Sequence, residues 1–268
     1  MIRLLHLSDL HFGEHSRFQG EDSKELGERF YQGLLANYEA FKAAPPDLVI
    51  VTGDFAEVGK PAEFRLASQF LETLGGELGV VRERFVFCPG NHDIWRPACR
   101  SVQENEQAAE EFDDDELRMR MDRVKLKHYD AFVENFYGEP QERVADALDY
   151  GGFVYTYPEL RLTVASLNSC EKESHRDEDH VGFVSRKQGQ ALMSQWLKGE
   201  VASYLKIIAV HHNPKITVQT NLDHQLEWLK GKELSRDLIA AFKGDALGFD
   251  SEGWIQQIGH DCRVPLLL

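Results

Sequence analysis

The chain begins Met1-Ile-Arg-Leu-Leu-His-Leu-Ser-Asp9-Leu-His11, an apolar, β-prone run that closes on a carboxylate and an imidazole two positions apart. Such a run is expected to form a buried strand, and side chains two residues apart leave a strand on the same side. An oxygen donor and a nitrogen donor offered together suit a divalent transition metal. Three later runs end in the same class of residue. Asp47-Leu-Val-Ile-Val-Thr-Gly53-Asp54 climbs through four apolar positions to a glycine and a carboxylate. Arg84-Phe-Val-Phe-Cys-Pro-Gly-Asn91-His92-Asp93 breaks at Pro89-Gly90 and presents an amide, an imidazole and a carboxylate in succession. Lys206-Ile-Ile-Ala-Val-His211-His212-Asn-Pro214 is a short strand that runs into two imidazoles before proline stops it.

Each piece alone has an ordinary explanation. Asp-x-His is commonly a cap or turn, Gly-Asp after a strand is a common turn, and His211-His212 also fits a surface turn. Gly90-Asn91-His92-Asp93 resists that treatment, because Gly and Asn favour turns but neither calls for a following His-Asp pair. Order and placement decide between the readings. All four sets stand at the carboxyl ends of apolar strands, where open α/β sheets keep their sites, so the expected class is α/β with one metal centre.

Asp9-x-His11, Gly53-Asp54, Gly90-Asn91-His92-Asp93 and His211 together resemble the calcineurin-like metallophosphoesterases, over about residues 1 to 214. The resemblance implies a four-layer α/β/β/α sandwich with two facing mixed β-sheets. It implies two divalent ions (Mn, Fe or Zn), with Asp9 and His11 on the first, Asp54 bridging, and Asn91 and His211 on the second; His212 is the register alternative to His211. It further implies phosphoric ester hydrolysis by a metal-bridging hydroxide. His92 would act as the acid facing the leaving oxygen, and Asp93 would accept the other ring N–H and orient it.

The chain departs from that pattern near its end. Members of the family close the site with Gly-His-x-His after a further strand, whereas this sequence offers only Gly259-His260-Asp261-Cys262. Two readings stand. Val264-Pro-Leu-Leu-Leu268 begins the missing strand and the chain is truncated before the closing ligands, or His260 substitutes for one of them. The first is preferred, and it carries the expectation that this 268-residue form holds metal incompletely and turns over poorly.

Composition narrows the function. At 268 residues and 42% hydrophobic content, a single domain spanning 1–268 is expected. Thirty Lys plus Arg against 45 Asp plus Glu give a net charge of −15, which disfavours polyanions at long range while leaving a nuclease open, because bound cations invert the local field. Cys88, Cys99, Cys170 and Cys262 lack paired spacing, so neither a disulfide framework nor a zinc knuckle is indicated. The opening apolar run is interrupted by Arg3, His6 and Asp9, so it does not read as a secretory or membrane-spanning segment, and a cytoplasmic location is expected.

Between the strands the pattern is helical. Lys24 to Ala43 aligns Leu26, Phe30, Leu34, Tyr38 and Phe41 as a face for covering a sheet, and Pro61 to Leu74 aligns Phe64, Ala67, Phe70, Leu71 and Leu74. Ser185 to Gln188 reads as a capping box opening a helix through Leu197, and Leu162 to Leu167 as a fifth strand whose following Asn168-Ser169 borders the site. Residues 99–150 form a charged helical insertion with a solvated acidic face at 110–116, and 171–180 a surface loop in which His175 and Arg176 are alternative phosphate contacts. Three functions remain open: a phosphoesterase of small phosphodiesters, cyclic nucleotides among them; a DNA or RNA nuclease; and a non-catalytic sensor or assembly module of a longer protein.

Overall fold

The computed structural model describes residues 2–16, 18–37, 44–109, 114–141, 144–148, 151–176, 179–180, 182–212, 247–248 and 266–267. The chain divides into two compact units, Met1–Val144 with Glu173–Asp179, and Ala145–Lys172 with His180–Leu268. Both units are α/β, and each has its own sheet and helices.

In the first unit, β1 (Leu4–Leu7), β2 (Leu48–Thr52) and β3 (Phe85–Cys88) form a three-stranded sheet in that order. Both pairings are parallel, with Leu4 opposite Leu48 and Val49 opposite Phe85. The central strand is covered on both faces: Leu48, Val49, Ile50 and Val51 are all fully buried. An uninterrupted apolar run is what a two-sided parallel strand requires.

The first helix, α1 (Ser23–Asn37), packs against α2 (Pro61–Leu78). Of the expected face, Leu34 is buried and the Phe30 ring, partly exposed, meets Phe70 at a 5.8 Å centroid distance; the buried Gly27 lies beside them. Gly27 sets the approach: a Cβ there would lie 3.0 Å from the Phe70 carbonyl oxygen and 3.1 Å from Thr73 Cβ. The expected continuation through Tyr38 and Phe41 lies outside the described residues. In α2 all five expected core positions, Phe64, Ala67, Phe70, Leu71 and Leu74, are buried. Pro61 occupies the first turn, Glu63 Oε2 accepts from the Lys60 and Val58 amides at 3.0 Å, and Gly79 ends the helix at φ 68°.

The 99–150 segment supplies core as well as surface. It holds most of α3 (Arg96–Ala109), and all of α4 (Asp114–Lys125) and α5 (Lys127–Tyr137). In α5, Phe132 and Phe136 join Phe55, Phe64, Phe85 and Phe87 in one aromatic cluster with neighbouring ring centroids 4.9–6.4 Å apart. Each such ring contributes about 1.5–3 kcal/mol by burial alone. The Tyr137 hydroxyl satisfies itself on the Phe85 carbonyl at 3.0 Å, tying α5 to the strand that leads into the Asn91-His92-Asp93 turn.

The second unit holds a five-stranded sheet in the order β10-β8-β6-β5-β4. Its strands are β4 (Asp146–Ala147), β5 (Phe153–Tyr157), β6 (Leu162–Ser166), β8 (Leu205–Ala209) and β10 (Leu266–Leu267). The sheet is mixed: β4, β5 and β6 pair antiparallel, while β6–β8 and β8–β10 are parallel. The β10 pairing, Leu266 opposite Ile207, falls in the strand expected at Val264–Leu268. A short parallel pair joins β7 (Gly182–Phe183) to β9 (Leu247–Gly248).

Helix α6 (Arg186–Trp196) starts where the capping reading placed it, with Ser185 Oγ accepting from the Gln188 amide at 3.2 Å. The reciprocal half differs. The Gln188 side chain turns to Asn168 and Glu171, and the Ser185 amide is met by Glu171 Oε1 at 2.7 Å. Trp196 and Leu192 anchor the helix in a core with Val154, Ala165, Val184 and Ile208. Among the described residues no helix is long and apolar enough to cross a membrane.

Candidate metal centre

The loops after β1, β2 and β3 bring six of the expected residues together within the first unit. Beyond β1 and β2 the backbone continues as an irregular parallel ladder, in which Asp9 N–H donates to Gly53 O at 3.3 Å and His11 N–H to Asp54 O at 2.8 Å. Holding that path forces left-handed backbone at Asp9 (φ 58°), His11 (φ 46°) and Asp54 (φ 55°). Among the described residues the one other non-glycine with positive φ is Arg161, in the β5–β6 turn. Non-glycine residues cost roughly 1 kcal/mol or more each in this region, and such positions gather at functional sites.

The donor atoms converge on His11. Its Nε2 lies 3.4 Å from Asp54 Oδ2 and 3.8 Å from Asp9 Oδ1, and its ring meets the His92 ring edge-on at a 4.6 Å centroid distance. Ligand atoms of His11, Asp54 and His92 all lie within 4.8 Å of one another. Asp54 is 3% exposed and Asn91 8%, whereas Asp9 and His11 face outward more. The Ser8 hydroxyl holds Asp9 Oδ2, a contact the sequence did not reveal.

Asp54 is fixed by the turn after β3. Asn91–Asp93 forms a single 3-10 turn, and the His92 amide donates to Asp54 Oδ1 at 2.9 Å. The two loops approach so closely that a Cβ on Gly90 would stand 2.2 Å from Asp54 Oδ1. A buried carboxylate shows in its surroundings. The Cys88 thiol, fully buried at the end of β3, is pushed well above its usual range by burial and by the charges of Asp93 and Asp54.

The expected Asp93–His92 pair is corrected by the geometry. His92 Nδ1 lies 2.6 Å from the Glu57 carbonyl oxygen, which can only accept, so Nδ1 carries the proton and Nε2 is the exchanging nitrogen. Asp93, completely buried, instead accepts three backbone N–H groups: Gly90 at 2.8 Å, Asp54 at 2.9 Å and Ala56 at 3.0 Å. A carbonyl at Glu57 leaves no trace in the identity of the side chain, so sequence could not have found it.

The second unit carries the His211-His212 pair after β8. His212 is 1% exposed, its Nδ1 2.7 Å from Ser169 Oγ, and it packs where a Cβ on Gly182 would collide with its ring. His211 is half-buried, its ring 5.0 Å from that of His212. His260 lies outside the described residues. Among the described residues of 171–180, Ser174 and Asp179 are buried and bonded at 2.5 Å, and Arg176 Nε donates to Asp179 Oδ2 at 2.7 Å. Glu173–Asp179 belong to the first unit.

Strand-end carboxylates and imidazoles of this kind place the chain among known proteins. The family description "calcineurin-like phosphoesterase" matches residues 2–248. The chain belongs to that family. A cAMP/cGMP dual specificity phosphodiesterase of Mycobacterium tuberculosis (strain CDC 1551 / Oshkosh) is 33% identical over 93 residues, 34% of this chain and 26% of that protein. The chain thus aligns with about a quarter of the length of this curated relative. Calcineurin-like phosphoesterases are a mixed α/β family, and the two sheets with their helices agree with that class.

Proposed function

We propose that this chain is a metal-dependent phosphodiesterase acting on small phosphodiesters, cyclic nucleotides among them. The observation that carries the reading is the convergence of His11 Nε2 on the carboxylates of Asp54 and Asp9, at 3.4 and 3.8 Å, on backbone bent into the left-handed region to bring them there. The donor set fits divalent ions. It mixes imidazole nitrogen with carboxylate oxygen, a choice suited to Mn²⁺, Fe or Zn²⁺ rather than Ca²⁺. Asp9, His11, Asp54 and Asn91 would hold the ions, Asp54 as the shared carboxylate; His211 is assigned to the set on its sequence pattern, with the burial of His212 supporting that register. Bound ions would supply Lewis-acid polarisation of the phosphate and a more acidic water.

The remaining work falls to the chain itself. His92 as the imidazolium, its Nδ1–H held by the Glu57 carbonyl, gives its Nε2 proton to the departing ester oxygen and is left as the neutral Nδ1–H tautomer. The net charge of −15 favours small substrates over polyanions, and the phosphodiesterase name of the Mycobacterium tuberculosis relative agrees with a diester. The 1–268 chain is proposed to act as one catalytic domain in a cytoplasmic setting.

The test is Mn²⁺-dependent hydrolysis of bis-p-nitrophenyl phosphate and of cAMP, with Asp54→Asn as the blank. Turnover in the parent and none above background in the variant is expected. Absence of turnover in the parent after loading with Mn²⁺, Zn²⁺ or Fe would overturn the proposal.

A further inference from the structure

Asp93 is a buried carboxylate that accepts backbone N–H groups from both loops of the site. Oδ2 takes the Asp54 and Gly90 amides, and Oδ1 takes the Ala56 amide, so both oxygens are used as acceptors across two different loops. The Asp54 carboxylate answers in the opposite direction by accepting the His92 amide. The two aspartates therefore strap the loop after β2 to the turn after β3, once each way. Both sets of bonds close on Asp54, the residue whose left-handed φ needs outside support.

We propose that Asp93 is a positioning residue for the metal centre: by holding the Asp54 and Gly90 amides it presents Asp54 Oδ2 toward His11 and sets the site's affinity for divalent cations without ligating them. This rests on the proposed role of Asp54 as a metal ligand. The device depends on the carboxylate having two acceptor atoms. An asparagine has one acceptor oxygen, and its amide would meet a backbone N–H donor to donor, so the substitution of nearly identical shape breaks the strap. Groups that orient metal ligands are worth about 10–100-fold in metal affinity. The negative charge also stays buried beside Asp54, where its field already reaches Cys88.

The experiment uses the full chain with Asp93→Asn, titrated with Mn²⁺ by calorimetry and followed by electron paramagnetic resonance, with apo-protein melting in parallel. Mn²⁺ affinity about 10–100-fold weaker, with an altered Mn²⁺ line shape, is the expected result in a variant that still folds. Parent-like affinity and line shape would overturn the proposal. Should the variant fail to fold, amide hydrogen exchange in the parent apo-protein decides: the Asp54, Ala56 and Gly90 amides should be protected and exchange together, and free exchange at Asp54 would defeat the strap. Neither readout uses turnover. A protein that bound Mn²⁺ as expected but hydrolysed no ester would sink the phosphodiesterase reading and leave this one intact.

Discussion

Replacing Gly90 by alanine asks how much slack exists between the two loops that carry Asp54 and His92. Gly90 sits at φ −110°, ψ 173°, ordinary extended backbone open to any residue, so conformational strain plays no part. The whole effect comes from contact: the new Cβ would lie 2.2 Å from Asp54 Oδ1 and 2.4 Å from Asp54 N. Neither atom can retreat cheaply, because the first accepts the His92 amide at 2.9 Å and the second donates to Asp93 at 2.9 Å. Relief to van der Waals distance needs a shift of about 1 Å and sacrifices at least one buried bond, at about 1–3 kcal/mol, on top of about 1–3 kcal/mol of overpacking. A loss near 3 kcal/mol corresponds to a melting point lower by roughly 6–12 °C for a domain of this size. Gly76→Ala is the matched control, since it lies inside α2 with nothing within 4 Å and should raise stability by about 0.5–1 kcal/mol. Scanning calorimetry of the apo-proteins, paired with Mn²⁺ titration, reads both arms. A Gly90→Ala protein melting within about 2 °C of the parent, with unchanged metal affinity, would show that the loops are not locked and that the reasoning is wrong.

Other consequences are as definite. His92→Asn should cut turnover by about 10²–10⁴ while sparing metal content, most severely on esters with poor leaving groups; a variant stripped of its metal would make His92 a ligand, as its grouping with His11 and Asp54 within 4.8 Å also permits. Cys88, Cys99 and Cys170 are all buried, and burial raises the Cys88 thiol and takes that of Cys99 to about 11, so at pH 8 these three should stay unmodified by Ellman's reagent until denaturant is added, Cys170 through burial alone. Rapid native labelling of any of them would contradict the packing. Ser185→Ala removes the side chain that receives the Gln188 amide and should lower stability by about 1 kcal/mol, measurable as a shift in urea midpoint at constant slope.

Strand ends were the most readable part of the chain. β1, β2, β3, β6 and β8 are largely apolar runs closed by glycine, proline or a polar residue; burial on both faces keeps β2, β3 and β6 continuous, whereas β1 leaves His6 exposed. β5 was missed although Phe153-Val-Tyr-Thr-Tyr157 lies between Gly151-Gly152 and Pro158; its alternating aromatic and β-branched residues were signal enough. The α1 face was legible at Phe30 and Leu34 but not at Gly27, which packs by absence of a side chain that hydrophobic periodicity does not register. At the site, residue types announced Asp9, His11, Asp54, Asn91 and His92. The role of Asp93 was out of reach, since it accepts backbone amides, two of them from residues distant in sequence, and any residue other than proline carries that donor.

Left-handed backbone at Asp9, His11 and Asp54 has a consequence for how this chain can change under selection. Glycine would relieve the local conformation at each of the three positions, so a library chosen for heat resistance alone should drift toward glycine there and shed its donors one by one. The same substitutions in a natural sequence would mark a lineage that kept the scaffold after abandoning ion binding. Stabilising this protein without silencing it therefore means working elsewhere, at helical glycines such as Gly33 and Gly76 whose added methyl meets nothing.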